Sequence, residues 1–385
     1  MDDSTIAQWL CEKFRQYYSH AHPNIDEINR REFGFGGWEK KIEFRHLSFE
    51  NSQALWNELK NKGPLYVSCS AAYYEFPSAR PMFKKNWFGA DLIFDLDAPA
   101  DSLAPFISYN SLDKVKSNAL TLIEDFLIAD FGFSKSELRI NFSGSRGYHV
   151  RACKKEALLL KREHRREIVD YIEGAGLNFS NFFSEEDVVL QREVRATRLK
   201  RLIGPSPSMG GFKAKFARKI LKMLESADLA ATISPKLKNP QNAQKFASGI
   251  HKGVYSNIQI PNAIKKFNSI FDEMKLKLSN QVDTDANVTI DTSKILRLPD
   301  SIHGGSGLAA KTVASVQDLQ NFDPFVHAVV FSSTNDQKIT ATKDIPSQKF
   351  LNQEFEKIPA GSTTSVAQAY AIYLICKRCA YPVVD

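Results

Sequence analysis

The apolar positions of this chain change period several times, and each change predicts an element. After Ser4, a plausible N-cap, Ile6, Trp9, Leu10, Phe14 and Tyr17 recur every three or four residues, which predicts an amphipathic opening helix that also packs Cys11. A stretch rich in glycine and aromatics (Arg31-Glu32-Phe33-Gly34-Phe35-Gly36-Gly37-Trp38) leads into alternating residues 41–49, which read as a strand. Two more strands are predicted at residues 65–67 and in the run Asp91-Leu92-Ile93-Phe94-Asp95-Leu96-Asp97. Helical spacing returns over residues 112–131, and short strands at 139–143 and 148–152 flank a Gly-Ser-Arg-Gly turn. Residues 154–280 are dominated by helical periodicity, with 205–211 the most loop-like stretch. Strand signals resume at 287–291, 295–298 and 327–331, and a helix carrying Val366, Ala369, Tyr370, Tyr373 and Leu374 closes the pattern. The pattern predicts a mixed α/β core, residues 1–153 together with 281–385, interrupted by a helix-rich insertion, residues 154–280.

With 385 residues, 43% hydrophobic and 25% charged, the chain can bury a sizeable core, which excludes disordered and fibrous classes. No apolar run reaches the roughly 18 residues that span a bilayer, so no membrane partner is expected. The start Met1-Asp2-Asp3-Ser4 is acidic where a secretory signal would be basic, and five scattered cysteines form no disulfide framework. A cytoplasmic protein is the expectation. The net charge of +7 is unevenly spread: residues 191–252 hold fourteen lysines and arginines against three acids, a local +11 that leaves −4 elsewhere. Such a window, including Arg195, Arg198, Lys200 and Arg201, suits contact with a phosphate backbone, although solvated helix faces produce the same statistic.

Three constellations bear chemistry. In Phe94-Asp95-Leu96-Asp97 the two carboxylates project from one face of a strand, about 7 Å apart, where they repel one another unless a cation intervenes. Hard oxygen ligands so spaced suit Mg²⁺ or Mn²⁺. In Ser143-Gly144-Ser145-Arg146-Gly147-Tyr148-His149 the glycines permit close backbone approach, and Arg146 offers a forked donor to phosphate oxygens. Asp291, followed by Arg297-Leu298-Pro299-Asp300-Ser301-Ile302-His303-Gly304, repeats that recipe of Arg, Ser, His and Gly. Each alone is an ordinary strand end or hairpin; together they make the parts of a two-metal phosphoryl-transfer site.

The ordered set Arg31-Glu32-Phe33, Arg45-His46-Leu47-Ser48-Phe49, Asp91 to Asp97, Phe142 to His149, and Asp291 with Leu296 to Gly304 resembles the small catalytic subunit of archaeo-eukaryotic DNA primase, archaeal type. The resemblance implies a discontinuous catalytic core with a helical insertion. It implies that Asp95, Asp97 and Asp291 are catalytic carboxylates holding two Mg²⁺ or Mn²⁺ ions. It further implies that Arg45, Ser143, Ser145, Arg146, His149, Arg297 and His303 bind the incoming nucleoside triphosphate. The implied activity is template-directed nucleotidyl transfer, making short primers on single-stranded DNA for replication, in a heterodimer with an iron-sulfur large subunit. Relatives usually place a zinc knuckle between the first carboxylate motif and the Ser-Gly-x-Arg-Gly motif. Residues 98–141 contain neither Cys nor His, and the pair Cys376 and Cys379 supplies two ligands where structural zinc needs four, so no zinc is expected. A gap-filling or end-joining polymerase of the same superfamily is one alternative. A non-catalytic nucleic-acid binder using the basic window is another, although it would gain nothing from three aspartates beside a phosphate site.

Overall fold

The computed structural model describes residues 2–99, 105–192, 195–275 and 288–384, without the side chains of residues 188–199. It is a mixed α/β fold with two compact units, one formed by Met1–Glu124, Phe133–Val169 and Leu278–Asp385 and the other by Asp125–Gly132 and Asp170–Lys277. The first unit therefore extends past residue 153. Arg165 explains why: it is 1% exposed and donates to the backbone oxygens of Ala90 at 2.7 Å and Asp91 at 2.9 Å.

Eight strands of the first unit frame the site: β1 (Phe33–Gly36), β2 (Phe44–Leu47), β3 (Tyr66–Ser70), β4 (Ala72–Tyr74), β5 (Trp87–Ala90), β6 (Leu92–Asp97), β7 (Leu138–Phe142) and β8 (Gly147–Ala152). One antiparallel sheet runs in the order Ile295–Arg297, β3, β1, β2, and the other in the order Thr312–Val313, β7, β8, β6. Strands β4 and β5 make a separate hairpin. Leu92, Ile93, Phe94 and Leu96 are all buried, so β6 is covered on both faces and its sequence reads as an apolar run rather than an alternation. The two sheets are tied by one acid. Asp91 accepts from Arg31 at 2.9 Å, Arg151 at 2.6 Å and Tyr73 at 2.7 Å, while Arg31 also donates to Ser70 O at 2.8 Å.

Several elements differ from the sequence reading. The opening helix Asp3–Tyr18 is capped by Asp2, whose Oδ1 accepts from the Thr5 N–H at 2.8 Å, and not by Ser4. Residues 288–290 form a turn instead of a strand, and Asn287 lies outside the described residues. Here Asp291 Oδ1 satisfies the backbone locally, accepting from the Ser293 N–H at 2.9 Å, while Thr289 Oγ1 reaches across to donate to Ile93 O at 2.6 Å. The predicted strand at 327–331 gives way to the short helix Pro324–His327, with Asp323 as N-cap and proline in its first turn. Val366 belongs to strand Thr363–Ala367, and the helix Gln368–Cys376 follows it.

The second unit holds the helices Gly211–Leu224, Ala227–Ile233, Pro240–His251 and Ala263–Met274. It also holds an antiparallel hairpin, Ser184–Arg192 with Arg195–Ile203, which helical periodicity does not predict. Its core is phenylalanine-rich because Phe212 and Phe216, and Phe267 and Phe271, sit at i, i+4 on two helices. Phe179 stands 5.1 Å from Phe216 and 5.0 Å from Phe271. Not all of the basic window faces water: Lys215 turns inward, pairs with Asp130 and lies 4.5 Å from the Phe126 ring. Lys200 and Arg201 are exposed, whereas the side chains of Arg192, Arg195 and Arg198 lie outside the described residues. Among the described residues no helix is long and apolar enough to cross a membrane.

Candidate active site

Strand β6 delivers Asp95 and Asp97 to one face, and β8 lies opposite in a register that pairs Asp95 with His149 and Asp97 with Gly147. Glycine is needed at 147: a Cβ there would collide with Leu96 O and Asp97 Oδ1. His149 Nδ1 lies 3.5 Å from Asn141 Nδ2, and its Nε2 lies 3.4 Å from Asp95 Oδ1, a buried oxygen that has no hydrogen bond among the described residues. Arg146 Nε stands 3.8 Å from Asp97 Oδ2. Burial, reinforced by the neighbouring Asp95 carboxylate, pushes the Asp97 carboxyl up to about 6.

Two loops meet behind the aspartates. The Ser143 N–H donates to Gly147 O at 2.8 Å and the Gly147 N–H to Ser143 Oγ at 3.1 Å, closing a turn in which Gly144 takes a φ of +84°. A Cβ on Gly144 would lie 2.7 Å from His303 Cβ, and Ser306 Oγ donates to Gly144 O. The repeated recipe of small and polar residues thus lets the two loops interlock. His303 Nδ1 accepts from the Gly305 N–H at 3.2 Å, which leaves the ring proton on Nε2. Burial, then the charges of Arg297 and Lys41, hold the His303 pKa well below its ordinary value, so the ring is neutral at physiological pH.

Arg297 is a poorly satisfied cation. It ends the strand Ile295–Arg297 and packs its guanidinium 4.7 Å from the Tyr66 ring centroid. Its Nη1 donates to Val67 O at 3.4 Å, but its buried Nε has no hydrogen-bond partner among the described residues. Burial lowers its pKa to about 10, leaving it charged near neutrality. A buried charge with so few acceptors is unfavourable until an anion completes it.

These groups wall a cavity of about 710 Å³. Asp95, Asp97, Ser143, Ser145, Arg146, His149, Arg297 and His303 all line it. Arg45 and Asp291 do not. Arg45 donates to Glu32 Oε1 at 2.7 Å and Ser293 O at 2.8 Å, and the Asp291 carboxylate is engaged by the N–H and Oγ of Ser293. Two cations of the lining escape the sequence reading, Lys41 and Lys377. Lys41 stands at the head of the alternating segment with no motif around it. Lys377 sits between Cys376 and Cys379, where the eye goes to the thiols; burial pushes the Cys376 thiol up to about 12, that of an inert packing residue. Burial lowers the pKa of both lysines, with Arg146 contributing to each.

The donor set can be tested against a divalent ion. Two hard carboxylates on one strand face, one raised by the other and one with an oxygen lacking a hydrogen bond, suit a small cation, with water and phosphate oxygens filling its shell. No group of three or more metal-ligating side chains gathers among the described residues. The walls carry four cationic side chains against these two carboxylates, a balance that favours a polyanion.

The family model described as DNA primase small subunit matches residues 94–315. The curated DNA primase small subunit PriS of Methanosarcina acetivorans is 31% identical, over 97% of this chain and 96% of its own. That of Methanocella arvoryzae is 31% identical over 98% of each chain. That of Methanothrix thermoacetophila is 33% identical over 86% of this chain and 88% of its own.

Proposed function

We propose, on the premise that this chain belongs to the DNA primase small subunit family, that it is a nucleotidyltransferase initiating short primers on single-stranded DNA. The observation that carries the reading is the cavity itself, where paired carboxylates share the walls with four cations and buried Arg297 has room for an anion. Asp95 and Asp97 would hold Mg²⁺ or Mn²⁺, one or two ions shared with the triphosphate. Such ions, when bound, lower the pKa of an attacking 3′-hydroxyl and offset charge on the departing pyrophosphate. Arg146, Arg297, Lys41 and Lys377 would clamp the phosphate oxygens, and the His303 Nε2–H would donate to one of them. His149 would keep Asp95 oriented. Ser143 and Ser145 would direct hydroxyl or backbone donors at the same phosphates. Asp291 enters this proposal as the third carboxylate, exchanging its bonds to Ser293 for the ion. Arg45 acts at one remove, by fixing the backbone of Ser293. No protein nucleophile is needed. We also place the chain in a heterodimer with an iron-sulfur large subunit, as its family membership implies.

The test is incubation with unprimed single-stranded DNA, labelled ribonucleotides or deoxyribonucleotides and Mg²⁺ or Mn²⁺. Products of two or more nucleotides are expected. Extension confined to pre-annealed primers would instead make the chain a gap-filling polymerase, and no incorporation with any substrate would overturn the reading. Gly147→Ala provides a finer check. The added methyl displaces the Asp97 carboxylate, and misplacement by about 1 Å is expected to reduce turnover on the order of a hundredfold. The same methyl meets the Leu96 backbone oxygen, so a lowered melting temperature is expected beside the lost turnover.

A further inference from the structure

The hairpin of β4 and β5 carries a patch that the active-site reading does not use. Within residues 76–88 five large apolar side chains stand in water: Phe83 is 82% exposed, Phe76 54%, Phe88 43%, Trp87 38% and Met82 37%. A bulge between Tyr73 and Tyr74 in the pairing with β5 sets Trp87 against Tyr74 and Gly89 against Tyr73, leaving Phe88 as the extra residue. The projecting loop is not loose. Phe76 N–H donates to Lys85 O at 3.0 Å, and Lys85 is fully buried, its Nζ 3.4 Å from Glu32 Oε2 and 5.2 Å from the Tyr74 ring. Lys85 therefore anchors the turn Met82–Lys85 while Met82, Phe83 and Lys84 face outward.

Contiguous exposed aromatics of this kind mark an interaction surface, and the charges decide its occupant. Residues 76–90 contain Arg80, Lys84 and Lys85 and no acid. Arg30 adds a guanidinium 5.3 Å from the Phe88 ring. Rings interleaved with cations of one sign match a single nucleic-acid strand, whose bases stack on the rings while its phosphates meet the cations. The patch is also continuous with the cavity: Arg80 Nη2 donates to Arg45 O at 3.0 Å, and the same β2 segment carries exposed Phe44 and leads back to Ile42 and Lys41 on the cavity wall.

We propose that the β4–β5 hairpin is a stacking platform for single-stranded DNA, with Phe83, Trp87 and Phe76 holding bases and Arg80 and Lys84 holding phosphates of the strand that enters the cavity. The proposal rests on the function given above, which supplies the single-stranded template that such a track would guide. The test measures binding of a fluorescent 20-nucleotide deoxythymidine strand to the full chain across a salt series. Phe83→Ala, Phe83→Leu and Trp87→Ala should each weaken binding on the order of tenfold without changing the salt slope. Lys84→Ala should weaken it and reduce that slope by about one. Binding by all three ring variants within twofold of the wild type overturns the platform, as does leucine at 83 binding like phenylalanine, because an apolar protein-docking surface tolerates leucine and a stacking surface does not. Either result, in a wild-type protein that makes primers, leaves the proposed function standing. Failure of the wild type to make product on any template overturns that function separately.

Discussion

Asp95→Asn is expected to lower nucleotide incorporation by about a thousandfold or more, while the protein stays folded. The reason lies in the geometry of β6. Asp95 and Asp97 share one face, and the buried Oδ1 of Asp95 lies 3.4 Å from the Nε2 of His149 with no hydrogen bond among the described residues. Asparagine keeps the shape and a contact to His149 but removes the charge that would hold a divalent ion, and such an ion contributes several kcal/mol to transition-state stabilisation. At about 1.4 kcal/mol per factor of ten, that range gives the expected loss. Stability should move the other way or not at all, since the Asp95 charge is one of the two causes that raise the Asp97 carboxyl to about 6. The measurement pairs initial rates on unprimed template with thermal melting followed by circular dichroism. Activity retained within tenfold would remove Asp95 from the chemistry. Asp291→Asn, assayed alongside, shows whether a carboxylate outside the cavity wall joins the reaction: a loss comparable to that of Asp95→Asn places it there, and near-normal turnover does not.

How much of this was legible in the sequence depends on whether the signal was local. Asp95 and Asp97 could be placed together because strand alternation fixes their common face without any tertiary information. Ser143 to His149 read as a turn because its glycines bracket it, and the interlock with His303 through Gly144 only deepens that reading. The placement of Arg45 was not readable. Its partners, Glu32 and Ser293, are brought to it by sheet pairing far apart in sequence, and they turn it away from the cavity. Lys41 and Lys377 lacked any motif; a lysine becomes conspicuous only when burial lowers its pKa, which no local pattern reveals. The strand expected at 287–291 failed because Asp291 spends its side chain on the backbone two residues on, a competition that β-propensity ignores, and because Thr289 is drawn to the distant carbonyl of Ile93, which no local pattern reveals. In the second unit the hairpin Ser184–Arg192 with Arg195–Ile203 was masked by the helical periodicity on both sides of it.

A third aspartate immediately precedes the same strand, and its replacement should expose the difference between a structural and a catalytic carboxylate. Asp91, 1% exposed, meets two buried guanidiniums, Arg31 and Arg151, and the hydroxyl of Tyr73. Burial alone would raise its pKa, but the two arginines outweigh it and hold the carboxyl below the ordinary value. Removing one partner of a buried ionic cluster leaves uncompensated charge and typically costs about 3–5 kcal/mol. Asp91→Ala should therefore be destabilised by that amount in urea unfolding of the first unit, where Asp95→Asn is not. The pH dependence has a definite sign. Because the folded-state pKa lies below the unfolded one, near 3.9, the contribution of Asp91 is complete above roughly pH 5 and fades as pH falls through the folded value. The wild type should thus lose stability on acidification over that range more steeply than Asp91→Ala, and the two unfolding curves should converge. Parallel curves at all pH values would show that the arginines find other acceptors and that Asp91 does not tie the two sheets.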